Sequence, residues 1–314
     1  GFRSSTPGEY GRLMLEDDGN IKEIVEAKDA SPDQLDMNLC NSGVMAVDSE
    51  LLPILLNELT NENAKREYYL TDIVAIARSH GRTCALVEAP ERDLMGINTR
   101  AELAEAEAII QNRLRLNAMA NGTSMVDPST VFLSWDTEIG RDVTIEPNVV
   151  FGPGVKVSDN VVIKAFSHLE GTLIQAGAVV GPFARLRSGS SIGTDARIGN
   201  FVEVKNASIS AGAKANHLTY IGDASIGPGA NIGAGTITCN YDGYVKSRTE
   251  IGAGAFIGSN TSLVAPVKVG DGAITGAGSV ITHDVEADAL VVERSEQRSL
   301  RDWAKKFHKS KGKK

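Results

Sequence analysis

IGRDVTIEPNVVFGPGVKVSDNVVIKAFSHL, residues 139–169, places an aliphatic or aromatic side chain at every sixth position: Ile139, Ile145, Phe151, Val157, Ile163 and Leu169. After a single slip the beat resumes at Ile174, Val180, Leu186, Ile192, Ile198 and Val204. It then continues through Ala215, Ile221, Ile226, Ile232, Ile251, Ile257, Leu263, Val269, Thr275 and Ile281. An amphipathic helix needs a period of 3.6 and a half-buried strand a period of 2, so neither explains it. Six residues make one short strand and a corner, and three such units close a triangular coil whose apolar side chains stack inward on the next coil. Glycine follows many of these positions, as in IGRDVT, VGPFAR, IGTDAR, IGPGAN and IGAGAF, where a missing side chain permits a tight corner. The pattern predicts a parallel β-helix from about Ile139 to about Val292. One interruption, GAGTITCNYDGYVKSRTE between Ile232 and Ile251, is polar and too long for a corner, so a loop leaves the coil there.

Outward from this region the pattern changes. Residues 1–98 mix short strands and helices, as in part of an α/β domain. LLPILLNEL and TDIVAIARSHG read as helices, the second ended by Gly81, and CALVEA as a strand. Residues 99–122 form a linking helix. Thr99 and Glu102 make a capping box, and Gly122 closes the far end. The β-helix occupies 123–292, and 293–314 is a basic, solvated tail ending AKKFHKSKGKK. The opening GFR has no preceding strand and glycine-rich turn, so an N-terminal portion of a nucleotide-binding fold is expected to be absent.

Composition narrows the function. A chain of 314 residues that is 42% hydrophobic and 23% charged is an ordinary globular protein. Its net charge of −8 argues against a nucleic-acid partner, which needs clustered cations. No run of roughly 18 apolar residues and no signal-peptide pattern is seen, so no membrane association and a cytoplasmic location are expected. The three cysteines, Cys40, Cys84 and Cys239, lack disulfide or zinc spacing.

A shallow β-helix surface forms deep sites most readily where protomers meet, which predicts a homo-oligomer. His217, in the polar stretch KANHLTYIGD, reads either as a surface histidine or as a general base. His80, His168, His283 and His308 read as surface residues. Arg187, Lys205 and Lys246 offer fixed positive charge for a phosphate. Glu203 either orients a charged neighbour or pairs with Lys205, and Cys239 reads as an inert thiol.

The string from Asn216 to Gly243, with FARLRSG, NFVEVK, IGSNTSLVAPVKVG and ITHDV, resembles the acetyltransferase half of the bifunctional GlmU family. GEYGRL, IVEAKDA, LCNSGV, EYYLTDI and GINTR resemble the latter part of that family's uridylyltransferase half. The resemblance implies a left-handed β-helix following an α/β nucleotidyltransferase portion, and a homotrimer. It also implies acetyl-CoA-dependent N-acetylation of glucosamine-1-phosphate. In an intact parent protein, Mg²⁺-dependent uridylyl transfer from UTP would follow, giving UDP-N-acetylglucosamine for cell-wall and lipopolysaccharide precursors. By the resemblance His217 is the general base. Arg187, Lys205, Tyr220, Asn231 and Lys246 hold the sugar phosphate. Ala234, Asn240, Tyr241, Ser259, Ala277 and Arg294 contact acetyl-CoA. Gly11, Glu26, Asn41 and Asn98 contact the uridylyl sugar, Asn98 also at Mg²⁺. The family's glycine-rich UTP loop and the aspartate that shares the metal have no counterpart in this sequence, so uridylyl transfer by this chain alone is not expected. Three other readings compete: a sugar or amino-acid O-acyltransferase on the same repeats, a zinc-dependent β-helix hydratase needing three convergent histidines, and a non-enzymatic scaffold with regular threonine rows.

Overall fold

The computed structural model describes residues 1–63 and 66–312 and divides into two compact units, Gly1–Ile110 and Gln111–Lys314. In the second, three parallel sheets of ten, eight and eight strands run along the coil axis. Except at the two ends of the ten-stranded sheet, each strand pairs with the one three strands later, so the sheets are the faces of a three-sided coil. On the first face Ile145, Ile163, Val180, Ile198, Ala215, Ile232, Ile257 and Thr275 stack in register. The second begins Phe151, Leu169, Leu186, Val204, Ile221, and the third Ile139, Val157, Ile174, Ile192, Ile209. Every six-residue position named from the sequence is buried except Ile139, which is half-buried against the core.

A second inward row, two residues before the first, carries smaller side chains: Val143, Val149, Ala178, Ala196 and Ala213 are fully buried. Large and small inward residues therefore alternate around each coil. The corner glycines act differently from the expectation. Gly199 is not in the left-handed region, yet a Cβ there would stand 1.9 Å from the Asn216 carbonyl oxygen on the next coil. Glycine after the inward residue thus lets coils approach closely. The left-handed conformation falls instead three residues before the inward position, at Asn148, Asn160, Phe183 and Asp195.

The stack begins at Ser124–Met125, which pairs with Thr144–Ile145, and Val131 and Leu133 are buried; this start lies within 123–292 and ahead of the periodic run that opens at Ile139. The interruption is shorter than expected, because Ile237–Cys239 continues the second sheet with Thr236 and Thr238 pointing inward and Ile237 outward. The inward Thr238 hydroxyl is satisfied by the Gly222 N–H at 2.7 Å and the Gly222 carbonyl at 3.0 Å. A polar residue thus fills an apolar slot, and the loop proper is only Asn240–Arg248.

The helix Arg100–Ala120 starts with the expected capping box: Glu102 accepts from the Thr99 N–H at 2.7 Å, and Thr99 Oγ1 accepts from the Glu102 N–H at 3.2 Å. In the second unit its buried Gln111 bonds both ways with the Leu133 backbone, at 2.7 and 2.9 Å, while Leu114 and Ala118 pack on the core. The open first coil is covered in this way. The tail forms a helix, Trp303–Ser310, with Trp303 stacked on Phe307; Lys313 and Lys314 lie outside the described residues.

The first unit holds an antiparallel sheet in the order Phe2–Arg3, Leu39–Cys40, Arg12–Leu15, Ile21–Val25. The helices Leu52–Asn57 and Ile73–Ser79 belong to the same unit. CALVEA forms no ladder among the described residues: its backbone bonds are from Ile21 N–H to Cys84 O and a pair flanking Glu88, from Gly1 N–H to Val87 O and from Ala89 N–H to Gly1 O. An apolar cleft of roughly 680 Å³ opens beside it, lined by Leu13, Ile24, Met45, Leu55, Val74 and Leu86.

Candidate functional site

Coil geometry sorts the candidate residues into columns. Asn200, His217, Ala234, Ser259 and Ala277 each stand two residues beyond an inward residue of the first sheet, namely Ile198, Ala215, Ile232, Ile257 and Thr275. They line one corner of the coil, one per turn. The candidate base and three of the candidate acetyl-CoA contacts, scattered over 61 positions of sequence, are thus neighbours along one edge. Arg294 tops the column, donating to the Ala277 carbonyl at 2.7 Å.

His217 ends the strand Lys214–His217 with its ring exposed, beside a groove of roughly 470 Å³ lined by Lys164, Arg197, Asn200 and Asn216. Its Nδ1 lies 2.7 Å from Asn200 Oδ1, one coil below. An amide oxygen only accepts, so Nδ1 is the donor in this contact, and in the neutral ring Nε2 is the nitrogen left to accept a proton. Asn200 was not among the residues singled out from the sequence, although it sits one coil before His217 in NFVEVK.

The second sheet's outer face adjoins this corner. Arg185, Glu203, Tyr220 and Ile237 are successive rungs of one column, and Arg187 and Lys205 follow the paired Leu186 and Val204 in the next. Glu203 pairs with Arg187 at 2.9 Å and lies 3.8 Å from Arg185, so its partners are the arginines rather than Lys205. The Tyr220 hydroxyl lies over Gly222, where a Cβ would stand only 2.3 Å from it. Asn231 is elsewhere: it lies on the outer face of the first sheet, between Lys214 and Phe256. Within one chain it does not share a face with Arg187, Lys205 and Tyr220. Cys239 is half-buried, its thiol donating weakly to the Ile237 carbonyl.

At the far edge of that face the loop leaves the coil. Tyr241 bridges to Lys246, and the Asp242 carboxylate accepts from the Tyr244 and Val245 N–H groups, which hold it below the usual carboxylate range. Asn240 at the loop's root is buried and donates to Asp223, which also accepts from Asn206 at 2.6 Å. Burial pushes the Asp223 carboxyl up. The two asparagine donors and the charges of Lys205 and Lys246 outweigh burial, so it too lies low. Asp223 and Asn206 were also not singled out from the sequence; an acid two residues past an inward isoleucine, in IGDAS, is the signal that marks Asp223.

In the first unit, the Gly11 carbonyl accepts from Asn41 N–H at 2.8 Å, and Glu26 lies against Gly11 and accepts from the Thr71 hydroxyl at 3.0 Å. Asn98 is exposed, its N–H on Glu102, and the preceding Gly96 donates to the Tyr10 hydroxyl at 2.8 Å. Burial first, and then Glu26 and Asp29, push the Asp72 carboxyl up. Mg²⁺ takes six oxygens in octahedral array, commonly one or two carboxylates together with waters and substrate phosphates. Asn98 offers one neutral oxygen, and no group of three or more His, Cys, Asp or Glu among the described residues could hold a metal. Within one chain, no three histidines among the described residues gather as a zinc-dependent β-helix hydratase would require. No helix among the described residues is long and apolar enough to cross a membrane.

A family model for the bacterial transferase hexapeptide (six repeats) matches residues 136–171 and 248–283. The bifunctional protein GlmU of Paramagnetospirillum magneticum is 61% identical over 98% of this chain and 68% of its own length. Those of Azorhizobium caulinodans and Zymomonas mobilis are 57% and 54% identical, each over 100% of this chain and 70% of their own length. Among solved structures, a UDP-N-acetylglucosamine O-acyltransferase of Moraxella catarrhalis covers 60% of this chain and 76% of its own at 13% identity, with a TM-score of 0.36, a likeness too loose to add to these relatives. Identity at this level, along nearly the whole chain and over two thirds of each of these three relatives, means that the chain belongs to the bifunctional GlmU family.

Proposed function

We propose that this chain N-acetylates glucosamine-1-phosphate with acetyl-CoA on the second sheet's outer face and the corner beside it. The observation that carries the reading is the single corner column in which a histidine with a free Nε2 stands below Ala234, Ser259 and Ala277. Acetyl-CoA lies along that column, with Arg294, Asn240 and Tyr241 as further contacts and its thioester toward His217. Arg187, Lys205, Tyr220 and Lys246 hold the sugar phosphate. The amine nitrogen attacks the thioester carbonyl, forming the C–N bond. Its proton passes to His217 Nε2, the C–S bond breaks, and the imidazolium returns that proton to the departing sulfur, so coenzyme A leaves as its thiol. An imidazole suits this transfer because it accepts and releases a proton near neutrality. No uridylyl step is assigned to this chain, and in an intact parent Asn98 would need acidic partners for Mg²⁺.

The test is thiol release from acetyl-CoA, followed continuously, with glucosamine-1-phosphate as acceptor. Release that requires the acceptor supports the reading; a folded protein that releases none refutes it. Arg187→Ala is expected to raise the KM for the sugar phosphate by about tenfold while leaving turnover within a few-fold, since a charge-assisted contact present before and during reaction is lost. An unchanged KM would move the phosphate away from Arg187.

The substrates are small and soluble, which favours the cytoplasm. The active assembly is a homotrimer, supported by Asn231 facing away from the rest of the sugar site and by exposed Phe256, Ile274 and Leu290 on that same sheet. Light scattering should give three times the 33.3 kDa chain mass, and dilution to monomer should abolish acetyl transfer while the β-sheet circular dichroism persists. A fully active monomer contradicts this.

A further inference from the structure

We propose that Asp223 is a positioning residue for acetyl transfer: its carboxylate clamps the root of the Asn240–Arg248 loop and sets which side of the Asn240 amide the substrates meet. The proposal rests on the acetyltransferase reading above for its kinetic effect, and on geometry alone for the clamp.

Asp223 is 8% exposed at the corner after Ile221 and Gly222. One carboxylate oxygen accepts from Asn206 Nδ2 at 2.6 Å on the coil before, and the other from Asn240 Nδ2 on the coil after. Its backbone works in the same direction, with its carbonyl accepting from the Thr249 N–H at 3.2 Å where the loop returns. Ser247 N–H in turn reaches the Asn240 carbonyl at 2.9 Å. Asp223 thus holds both ends of the loop at one point. Between those ends the chain is tied mainly to itself, by the Tyr241–Lys246 bridge and the Asp242 turn, and residues 241–246 are exposed. Lys246, which the proposed site uses, reaches the coil only through this root.

The chemistry of the clamp is directional. A carboxylate only accepts, so both asparagines turn their NH₂ groups inward and Asn240 Oδ1 is left to accept from a substrate N–H or O–H. The charges of Lys205 and Lys246 also act attractively on the carboxylate. It keeps two cations near one phosphate position without their mutual repulsion parting them. An amide at position 223 would offer one acceptor and one donor. One of the two asparagines would then have to flip or face NH₂ against NH₂, and the attraction of Lys205 and Lys246 to the carboxylate would be lost.

The experiment pairs Asp223→Asn with the exchanged double variant Asp223→Asn/Asn206→Asp, each as the full chain. In the double variant the carboxylate at 206 accepts from the amide at 223, whose oxygen accepts from Asn240, so the clamp is rebuilt in reverse order. Two readouts are taken: kcat/KM for acetyl transfer, and the rate of tryptic cleavage after Lys246 and Arg248. The single variant should lose about tenfold to a hundredfold in kcat/KM and be cut faster by a similar factor, and the double variant should recover most of both. Recovery separates positioning from a general need for charge or volume at 223. If the single variant does not fold, Asn240→Ala removes only the loop-side bond and should by itself speed cleavage. Unchanged cleavage in either variant overturns the clamp, and unchanged kcat/KM with faster cleavage overturns the positioning role. If the unmodified chain transfers no acetyl group, it is the acetyltransferase reading that fails, and the proteolysis arm still decides the clamp.

Discussion

His217→Ala is expected to lower turnover by about 10² to 10⁴, or roughly 3 to 5 kcal/mol of barrier, with little change in the KM for glucosamine-1-phosphate. The split follows from where the ring sits. His217 occupies the corner column, whereas the cations proposed for the phosphate lie on the second sheet's face and keep their own anchors, Arg187 on Glu203 and Lys205 beside Asp223. Losing the imidazole removes the acceptor for the amine proton and leaves ground-state binding in place, so the deficit falls on kcat. Asn200→Ala should reproduce part of the loss, because the ring would no longer be held with its Nδ1 proton toward the coil and Nε2 outward. Steady-state kinetics between pH 6 and 9 checks this. Near-normal turnover of His217→Ala across that range would remove it from the mechanism.

Gly199→Ala is expected to cost roughly 1 to 3 kcal/mol of stability and also to depress turnover, although glycine to alanine adds a single methyl group. The added Cβ would stand 1.9 Å from the Asn216 oxygen, 2.5 Å from its carbonyl carbon and 2.8 Å from its Cα. All three are backbone atoms, so no rotamer relieves the overlap and the two coils must part. They part at Asn200 and His217, whose side-chain bond spans the same pair of coils. Denaturant unfolding and the thiol assay, run on the same preparation, test both halves; a variant as stable and as active as the parent would show that the coils yield locally at no cost.

The six-residue beat made the solenoid legible before any coordinates, because an inward residue repeats whatever the corners do. Three things escaped for physical reasons. The inner row of Val and Ala two residues earlier has no hydrophobic contrast strong enough to read, since alanine is equally common on surfaces. The coil containing Thr236 and Thr238 reverses the usual polarity, with Ile237 outside, and so read as loop. CALVEA has the composition of a strand, yet a strand is a pairing and it forms no ladder among the described residues. The site divided in the same way. His217, Arg187 and Lys205 stood out by residue type in a polar setting. Asn200 and Asp223 are bonded to neighbours 17 residues away, a spacing that becomes visible once residues are counted by coil. Asn231 came from resemblance, and its separate face within one chain is a fact of three dimensions only.

The corner column also works as a scale. From His217 through Ala234 and Ser259 to Ala277 is three steps, and adjacent parallel strands are about 4.8 Å apart, so the column measures roughly 14 Å from base to far end. That length is set by counting turns, and no single substitution along the edge alters it. A cosubstrate arm laid along it is gauged in whole increments. Trimming a side chain changes how tightly the arm is gripped, whereas inserting or deleting one turn between Ala215 and Thr275 shifts the reacting carbon by a full notch while leaving each contact chemically intact. Changes of reach in such an enzyme therefore come in discrete jumps.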